Sequence, residues 1–348
     1  MYIIIAIIMF GVLIGVHEFG HFSAAKLCGV RVNEFAIGMG PVLWKKKKGD
    51  TQYSLRLFPI GGYCSMEAEE ESSDDPKAFT NKNPLQRVLI LCSGAAMNYI
   101  LGIVLLIIVF AGVKTLTQPV ISGFMEGCPY ESEQLLQTGD RFVRIDGHKT
   151  SMTYDVTEYL GSGGVHDIVL KRNGETVVLE DVELEKQTYD GIEGEYFGFY
   201  FATVKNNILR TVQYACQWSV RFVRMVWDSL RQLIAGTVGI KDLSGPVGIV
   251  SMITQTGESA ASSADAARNI LYFCAFIAVN LAVMNMLPIP ALDGGRVFCL
   301  IVTVILEAIL RRKIDPKYEA YINTAGLILL LGLTAVVMYN DIVRLIAG

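Results

Sequence analysis

Charge is what this 348-residue sequence has least of: Asp, Glu, Lys and Arg make up only 18% of it, against about a quarter in ordinary soluble domains. With 52% apolar residues, the chain is not a purely water-soluble globular enzyme, and its excess apolar surface belongs in lipid. A basic excess is missing too: 30 Lys and Arg against 34 Asp and Glu leave a net charge of −4. Nucleic acid is therefore not expected as a partner. The seven cysteines (Cys28, Cys64, Cys92, Cys128, Cys216, Cys274, Cys299) are scattered without paired spacing, which argues against a disulfide framework and a cysteine metal site. Histidine is scarcer still, with four residues, yet two of them, His17 and His21, stand four apart.

Long apolar runs account for the composition. Residues 2–16 carry no charge, and the apolar character continues to Leu27 with His17, Glu18, His21 and Lys26 interspersed. No basic segment precedes the run and no small-x-small cleavage site follows it, so it reads as a first transmembrane helix rather than a signal peptide. Residues 88–113 are uncharged, long enough at about 1.5 Å per residue for a bilayer core of about 30 Å. Further runs cover 270–292, continuing after Asp293-Gly-Gly-Arg296 as 297–306, and 322–340. Four spans result. Arg31, the lysines at 45–48, Arg56, Lys77, Lys82 and Arg87 follow the first span, and Arg311, Arg312, Lys313 and Lys317 lie between the last two. The positive-inside rule makes both loops cytoplasmic and puts the stretch from about 114 to 267 outside.

Between the spans the pattern changes. Residues 33–66 are glycine-punctuated and alternate in Gln52-Tyr-Ser-Leu-Arg-Leu-Phe58 before the turn Pro59-Ile-Gly-Gly-Tyr63, which predicts a sheet next to the first helix. The run 67–77 (EAEEESSDDPK) reads as a solvated acidic loop. Residues 116–186 show a mixed β/α pattern with turns at Asp146-Gly147 and Asn173-Gly174, enough for one small domain. Residues 205–236 mix Trp218, Phe222, Trp227 and Leu230 with Arg221, Arg224 and Arg231, as in an amphipathic helix at the membrane surface. Its apolar residues 214–234 suit a surface gate or simple packing.

His17-Glu18-Phe19-Gly20-His21 carries the chemistry. On a helix, positions i and i+4 share a face, so both imidazoles can meet one tetrahedral cation while Glu18 stands beside them to polarise a water. The alternative is a pair of structural histidines, but ionisable groups in an apolar span are costly without partners and mark a functional site by default. A catalytic zinc takes three protein ligands and keeps one position open. Asp293 is the third candidate: Pro288 and Pro290 break the span before it, and Gly294-Gly295 free the backbone after it. Its alternative is a simple cap on the following helix.

These motifs resemble the site-2 protease family of intramembrane zinc metalloproteases, in the bacterial RseP/RasP type with one PDZ insert. The resemblance spans nearly the whole chain and rests on His17-Glu-Phe-Gly-His21, Phe35-Ala-Ile-Gly-Met-Gly-Pro41, Phe58-Pro-Ile-Gly-Gly-Tyr63, Gly94-x-x-x-Asn98, Ser244-Gly-Pro-Val-Gly-Ile249, and Asn280-x4-Asn285-x-Leu-Pro-x-Pro-x-Leu-Asp293-Gly. Ala95 stands where family members often carry proline. The implied fold is an α-helical polytopic membrane protein with four transmembrane helices, a membrane-associated β-hairpin or sheet and an inserted α+β PDZ-like domain.

The expected divisions are 1–28 (first span), 29–86 (cytoplasmic β-rich region and acidic loop), 87–114 (second span), 115–186 (extracytoplasmic PDZ-like domain), 187–268 (linker with amphipathic helix), 269–310 (third span) and 311–348 (turn and fourth span). The resemblance implies Zn2+ held by His17, His21 and Asp293, with Glu18 as general base. Asn280, Asn285 and Asn98 would support substrate or the transition state, Asn280 having interhelical bonding as its alternative. The region 52–63, with Tyr53, Leu55, Gly61 and Gly62, would be an edge strand to which an unwound substrate adds. Expected partners are transmembrane protein substrates, the bilayer of a bacterial plasma membrane and a peptide ligand of the PDZ-like domain, which acts as a size filter or a recruiter. A catalytically inactive, membrane-anchored PDZ scaffold is the rival reading. A metal transporter fits less well, because no repeat or second ligand cluster is visible.

Overall fold

The computed structural model describes residues 2–69, 73–239, 245–312, 314–315 and 317–347. Residues 70–72 of the acidic run, Ser244 of the Ser-Gly-Pro motif and Lys313 of the basic turn lie outside the described residues. Lipid offers no hydrogen bonds, so an apolar run must satisfy its backbone internally, as helix. Among the described residues, four helices are long and apolar enough to cross a membrane: α1 (Tyr2–Leu27), α2 (Pro84–Ala111), α6 (Ser263–Asn285) and α8 (Lys317–Ala347). Ile328, Leu329 and Leu331 of α8 are each at least 60% exposed, a surface suited to lipid and not to water. The protein is a polytopic helical membrane protein with added sheets, as its apolar runs predict.

The chain divides into two compact units, Met1–Val109 with Trp218–Gly348, and Phe110–Gln217. In the first, Ala6, Met9 and Leu13 of α1 pack with Ile253 of α5 (Pro246–Glu258) and with Ile270, Cys274 and Ile277 of α6. A second core joins Ala24 and Ala25 of α1, Ile90 and Leu91 of α2, Phe79 and Leu300. The third span is not continuous. α6 ends at Asn285, the segment 286–292 is irregular around Pro288 and Pro290, and α7 (Asp293–Leu310) starts on the aspartate. A methyl group at Gly294 or Gly295 would overlap the backbone of Met286, Leu287 or Ile289, so both glycines let the first turn of α7 lie against the broken segment.

Two long strands, β1 (Val32–Lys48) and β2 (Thr51–Met66), pair antiparallel after α1, and bulges bend each of them so that it pairs twice. Residues 32–37 of β1 pair with 62–66 on one side and 52–55 on the other, while 44–48 pair with the far side of 51–55. The acidic run is tied down where it is described: Arg31 binds Asp75 at 2.8 Å, and the Glu67 amide donates to the Arg31 carbonyl.

The second unit holds a sheet of order β10-β3-β4-β6-β7, from β3 (Thr115–Phe124), β4 (Arg141–Ile145), β6 (Gly163–Arg172), β7 (Glu175–Glu185) and β10 (Phe199–Lys205). The short β5 (His148–Lys149) pairs with β4, and β8 (Gln187–Tyr189) pairs with β9 (Ile192–Tyr196). Helix α3 (Thr153–Leu160) contributes Val156 and Leu160 to a core with Ile121, Phe142, Ile145 and Ile168. β10 lies in the stretch expected as linker, and its phenylalanines at 199 and 201 pack on that core. The amphipathic helix is α4 (Ile208–Ala235).

Candidate metal centre

The site is built on the C-terminal half of α1, where His17, Glu18 and His21 follow each other within little more than one turn. Helix α2 crosses it there at backbone distance. A methyl group at Gly20 would overlap the Ser93 carbonyl, and one at Gly94 would overlap both imidazoles. Small residues on both helices thus permit the contact, as in close helix crossings generally. The broken segment between α6 and α7 supplies Asp293.

Three donor atoms converge. His17 Nε2 and His21 Nε2 lie 3.2 Å apart, and Asp293 Oδ2 lies 3.2 Å from the first and 3.3 Å from the second. A tetrahedral zinc with bonds of about 2.0 Å has donor–donor edges of about 3.3 Å, so this triangle is the base of such a site. Protonation supports the same fit. His21 Nδ1 donates to the Ile90 carbonyl at 2.9 Å, which leaves its Nε2 as a bare lone pair. Asp293 Oδ2 is buried without a hydrogen-bond donor. Lone pairs facing one another at this distance repel unless a cation stands between them.

The Nδ1 of His17 is approached by the amides of Asn98 at 3.4 Å and Asn285 at 3.5 Å. Asn98 Oδ1 is buried with no partner, and turning this amide by 180° lets it accept from His17 Nδ1–H, the tautomer that frees Nε2 for a metal. Asn98 and Asn285 are thereby brought to the site. Asn280 is not: it is half-buried on α6, does not line the cavity, and its side chain makes no hydrogen bond among the described residues.

A cavity of about 270 Å³ opens over these groups, lined by Glu18, Tyr63, Cys64, Met66, Glu69 and Arg296 together with the three donors. The backbone amide of Cys64 faces the Glu18 carboxylate, and a methyl group at Gly62 would stand 3.4 Å from Glu18 Cγ. Burial, together with the Glu18 and Glu69 carboxylates, pushes the Cys64 thiol up to about 12, so this sulfur lines the cavity as a neutral group. Arg296, one turn after Asp293, is paired with Glu69, and it shares the ring of the buried Phe79 with Arg87, at 5.8 and 5.0 Å.

One expectation is corrected. Tyr53 pairs with both Phe35 and Lys46, Ser54 with both Ala36 and Lys45, and Leu55 with both Ile37 and Trp44. Residues 52–55 are therefore a central strand with no free backbone, not the edge their alternation suggested. The Tyr53 ring packs on Phe22 and Phe35, and Leu55 is exposed, so neither side chain lines the cavity. Among the described residues the edges without a strand partner are 62–66 and 42–48, and only the first borders the cavity. Of the expected glycines, Gly62 stands next to the Glu18 side chain, while Gly61 packs on Met39. Tyr63, Cys64, Glu69, Gly94 and Arg296 were missed as individual site residues. The one local signal was Arg296, a second charge one turn after Asp293 in an apolar stretch.

Fold and site together define a multi-span membrane protein with a His₂-carboxylate donor set whose spacing suits a metal ion. The family model for peptidase family M50 matches residues 5–333. A Clostridium perfringens protein that carries a provisional zinc-metalloprotease name is 36% identical, with 99% of each chain covered. The zinc metalloprotease RasP of Shouchella clausii is 29% identical over 97% of this chain and 98% of the relative. The regulator of sigma-W protease RasP of Bacillus subtilis is 27% identical over 99% of this chain and 98% of the relative. The chain belongs to peptidase family M50, the site-2 proteases, and is a zinc metalloprotease.

Proposed function

We propose that this protein hydrolyses a peptide bond of single-span membrane proteins at the membrane, with His17, His21 and Asp293 holding the zinc and Glu18 as general base. The observation that carries the reading is the triangle of donors at 3.2–3.3 Å, with Glu18 beside it on the same helix, in one cavity. When bound, zinc lowers the pKa of water toward neutrality and polarises the scissile carbonyl. Glu18 takes the proton of the attacking water on its carboxylate and passes it to the leaving amine. Asn98 and Asn285 hold the His17 ring, and the Ile90 carbonyl holds that of His21, so neither imidazole turns during the reaction. Asn280 has no contact that supports a role at the reacting atoms.

A membrane-spanning substrate must unwind before attack, which exposes backbone groups that lipid cannot satisfy. The free edge 62–66 offers them a strand partner beside Glu18. The second unit acts as the extracytoplasmic PDZ-like domain, with β10 and β7 as the terminal strands of its sheet. The metal centre faces the cytoplasm in this reading, which the Lys and Arg of the loop after α1 support through the positive-inside rule. Anti-sigma factors and remnant signal peptides are the substrate types proposed, the former in keeping with the name of the Bacillus subtilis relative.

The test is to reconstitute wild type and Glu18→Gln with a panel of single-span substrates, with and without a chelator, and to measure bound zinc. Glu18→Gln should keep its zinc and lose activity by a factor of about 10² to 10⁴. An inactive PDZ scaffold would cleave nothing as wild type. Cleavage indifferent to both the substitution and the chelator would overturn the reading.

A further inference from the structure

The second unit has a basic pocket that proteolysis does not use. It is a cavity of about 50 Å³, room for three or four water-sized groups. Arg141, Arg210, Gln118, Gln213, Gln217 and Ser151 line it with hydrogen-bond donors, and no acidic residue does. The guanidinium of Arg141 has no ionic or hydrogen-bond partner among the described residues, and that of Arg210 commits only Nη1, to the Lys205 carbonyl at 2.6 Å. Both guanidiniums are on exposed residues that line the same hollow with no carboxylate among its lining, so an anion there meets donors from two elements at once.

Position narrows the choice of anion. Strand β3 begins four residues after the end of α2, a membrane-crossing helix. The Asn206 amide donates to the carbonyls of Phe110 at 2.8 Å and Val113 at 2.9 Å, so the start of α4 is tied to the end of α2. On α4, next to Arg210, Gln213 and Gln217, stand Ile208 at 86%, Leu209 at 77% and Val212 at 38% exposure. A basic pocket beside exposed apolar side chains, at the end of a membrane span, matches an amphiphile with an anionic head. Guanidinium groups pair with phosphate through two parallel hydrogen bonds. We propose that this pocket is a phosphate site for the headgroup of an anionic phospholipid.

The chemistry is that of phosphate, and the experiment separates a lipid from a free ion. Full-length protein in detergent is incubated with phosphatidylglycerol, with diacylglycerol, which lacks the phosphate, or with inorganic phosphate, and native mass spectrometry counts the bound molecules. Wild type should retain phosphatidylglycerol, not diacylglycerol, and should keep the lipid in excess inorganic phosphate. The double substitution Arg141→Gln with Arg210→Gln should lower retention about tenfold, the loss of charge-assisted bonds. Arg141→Lys with Arg210→Lys keeps the charges without the paired geometry; it guards against a misfolded glutamine variant and should bind between the two. Equal retention in wild type and both double variants would overturn the site. Displacement of the lipid by inorganic phosphate would overturn the lipid as its occupant.

Discussion

At the scale of single residues, Gly94 makes a sharp test of the proposed metal site. It coordinates nothing, yet the space its missing side chain leaves is filled by the imidazoles of His17 and His21. Gly94→Ala should force both rings off the triangle while α2, rich in good helix formers, stays helical. Loss of ligand positioning costs about 10 to 100-fold in metal affinity. Zinc titration monitored by activity recovery would read it, and unchanged affinity would mean that the rings tolerate the shift. The histidines themselves were legible in sequence because i and i+4 share a face, a local rule. Gly94 and Asn98 were visible only as a motif, since what they touch lies on another helix. Asn280 shows the limit of carrying a motif over, as its neighbour Asn285 reaches the site and it does not.

Glu34 offers a pH test at the same scale. Burial alone would raise its carboxyl, but hydrogen bonds from Ser54, Tyr63 and Arg56 outweigh that and hold it at about 2, below its ordinary 4.5. A depressed pKa means that the carboxylate's stabilisation is complete above the ordinary value and disappears as pH falls through about 2. Amide exchange in residues 32–37 and 52–55, normalised for its intrinsic pH dependence, should show the wild-type hairpin losing protection over that window. Glu34→Gln should be less protected at neutral pH and flat across it.

Elements test how substrate is held. Alternation in 52–58 marked a strand correctly, but its neighbours are set by bulges and by a chain that doubles back, none of which has a local signature. Of the two edges this leaves without a strand partner among the described residues, 62–66 is the one where the Cys64 amide faces Glu18. If an unwound substrate pairs with that edge, Cys64→Pro, which removes the edge amide shared between Glu18 and the added strand, should slow cleavage about tenfold without loss of zinc. Cys64→Ala keeps the amide and should cleave normally. Ser54→Pro, in the central strand, should break ladder bonds on which the whole hairpin depends and lower its exchange protection. A Cys64→Pro enzyme as fast as wild type would rule out strand addition at this edge.

For the whole molecule, the spans were readable because lipid permits so few charges that each apolar run declares itself. The extent of the second unit was harder to read: β10 returns from far along the chain to pair Phe199 with Phe124, a long-range match that no window of sequence contains. The division has a thermodynamic consequence. All three donors lie in the helical unit, while Phe110–Gln217 has its own core around Phe142 and Ile168. A ligand stabilises only the cooperative unit whose folded form it binds. Chelation should therefore raise amide exchange around residues 17–21 and in the first turn of α7, abolish cleavage, and leave the strands carrying Ile121, Phe142 and Ile168 as protected as before. If those strands lost protection in step with α1, the two units would unfold as one, and zinc would be holding the entire chain rather than the helical unit that contains its site.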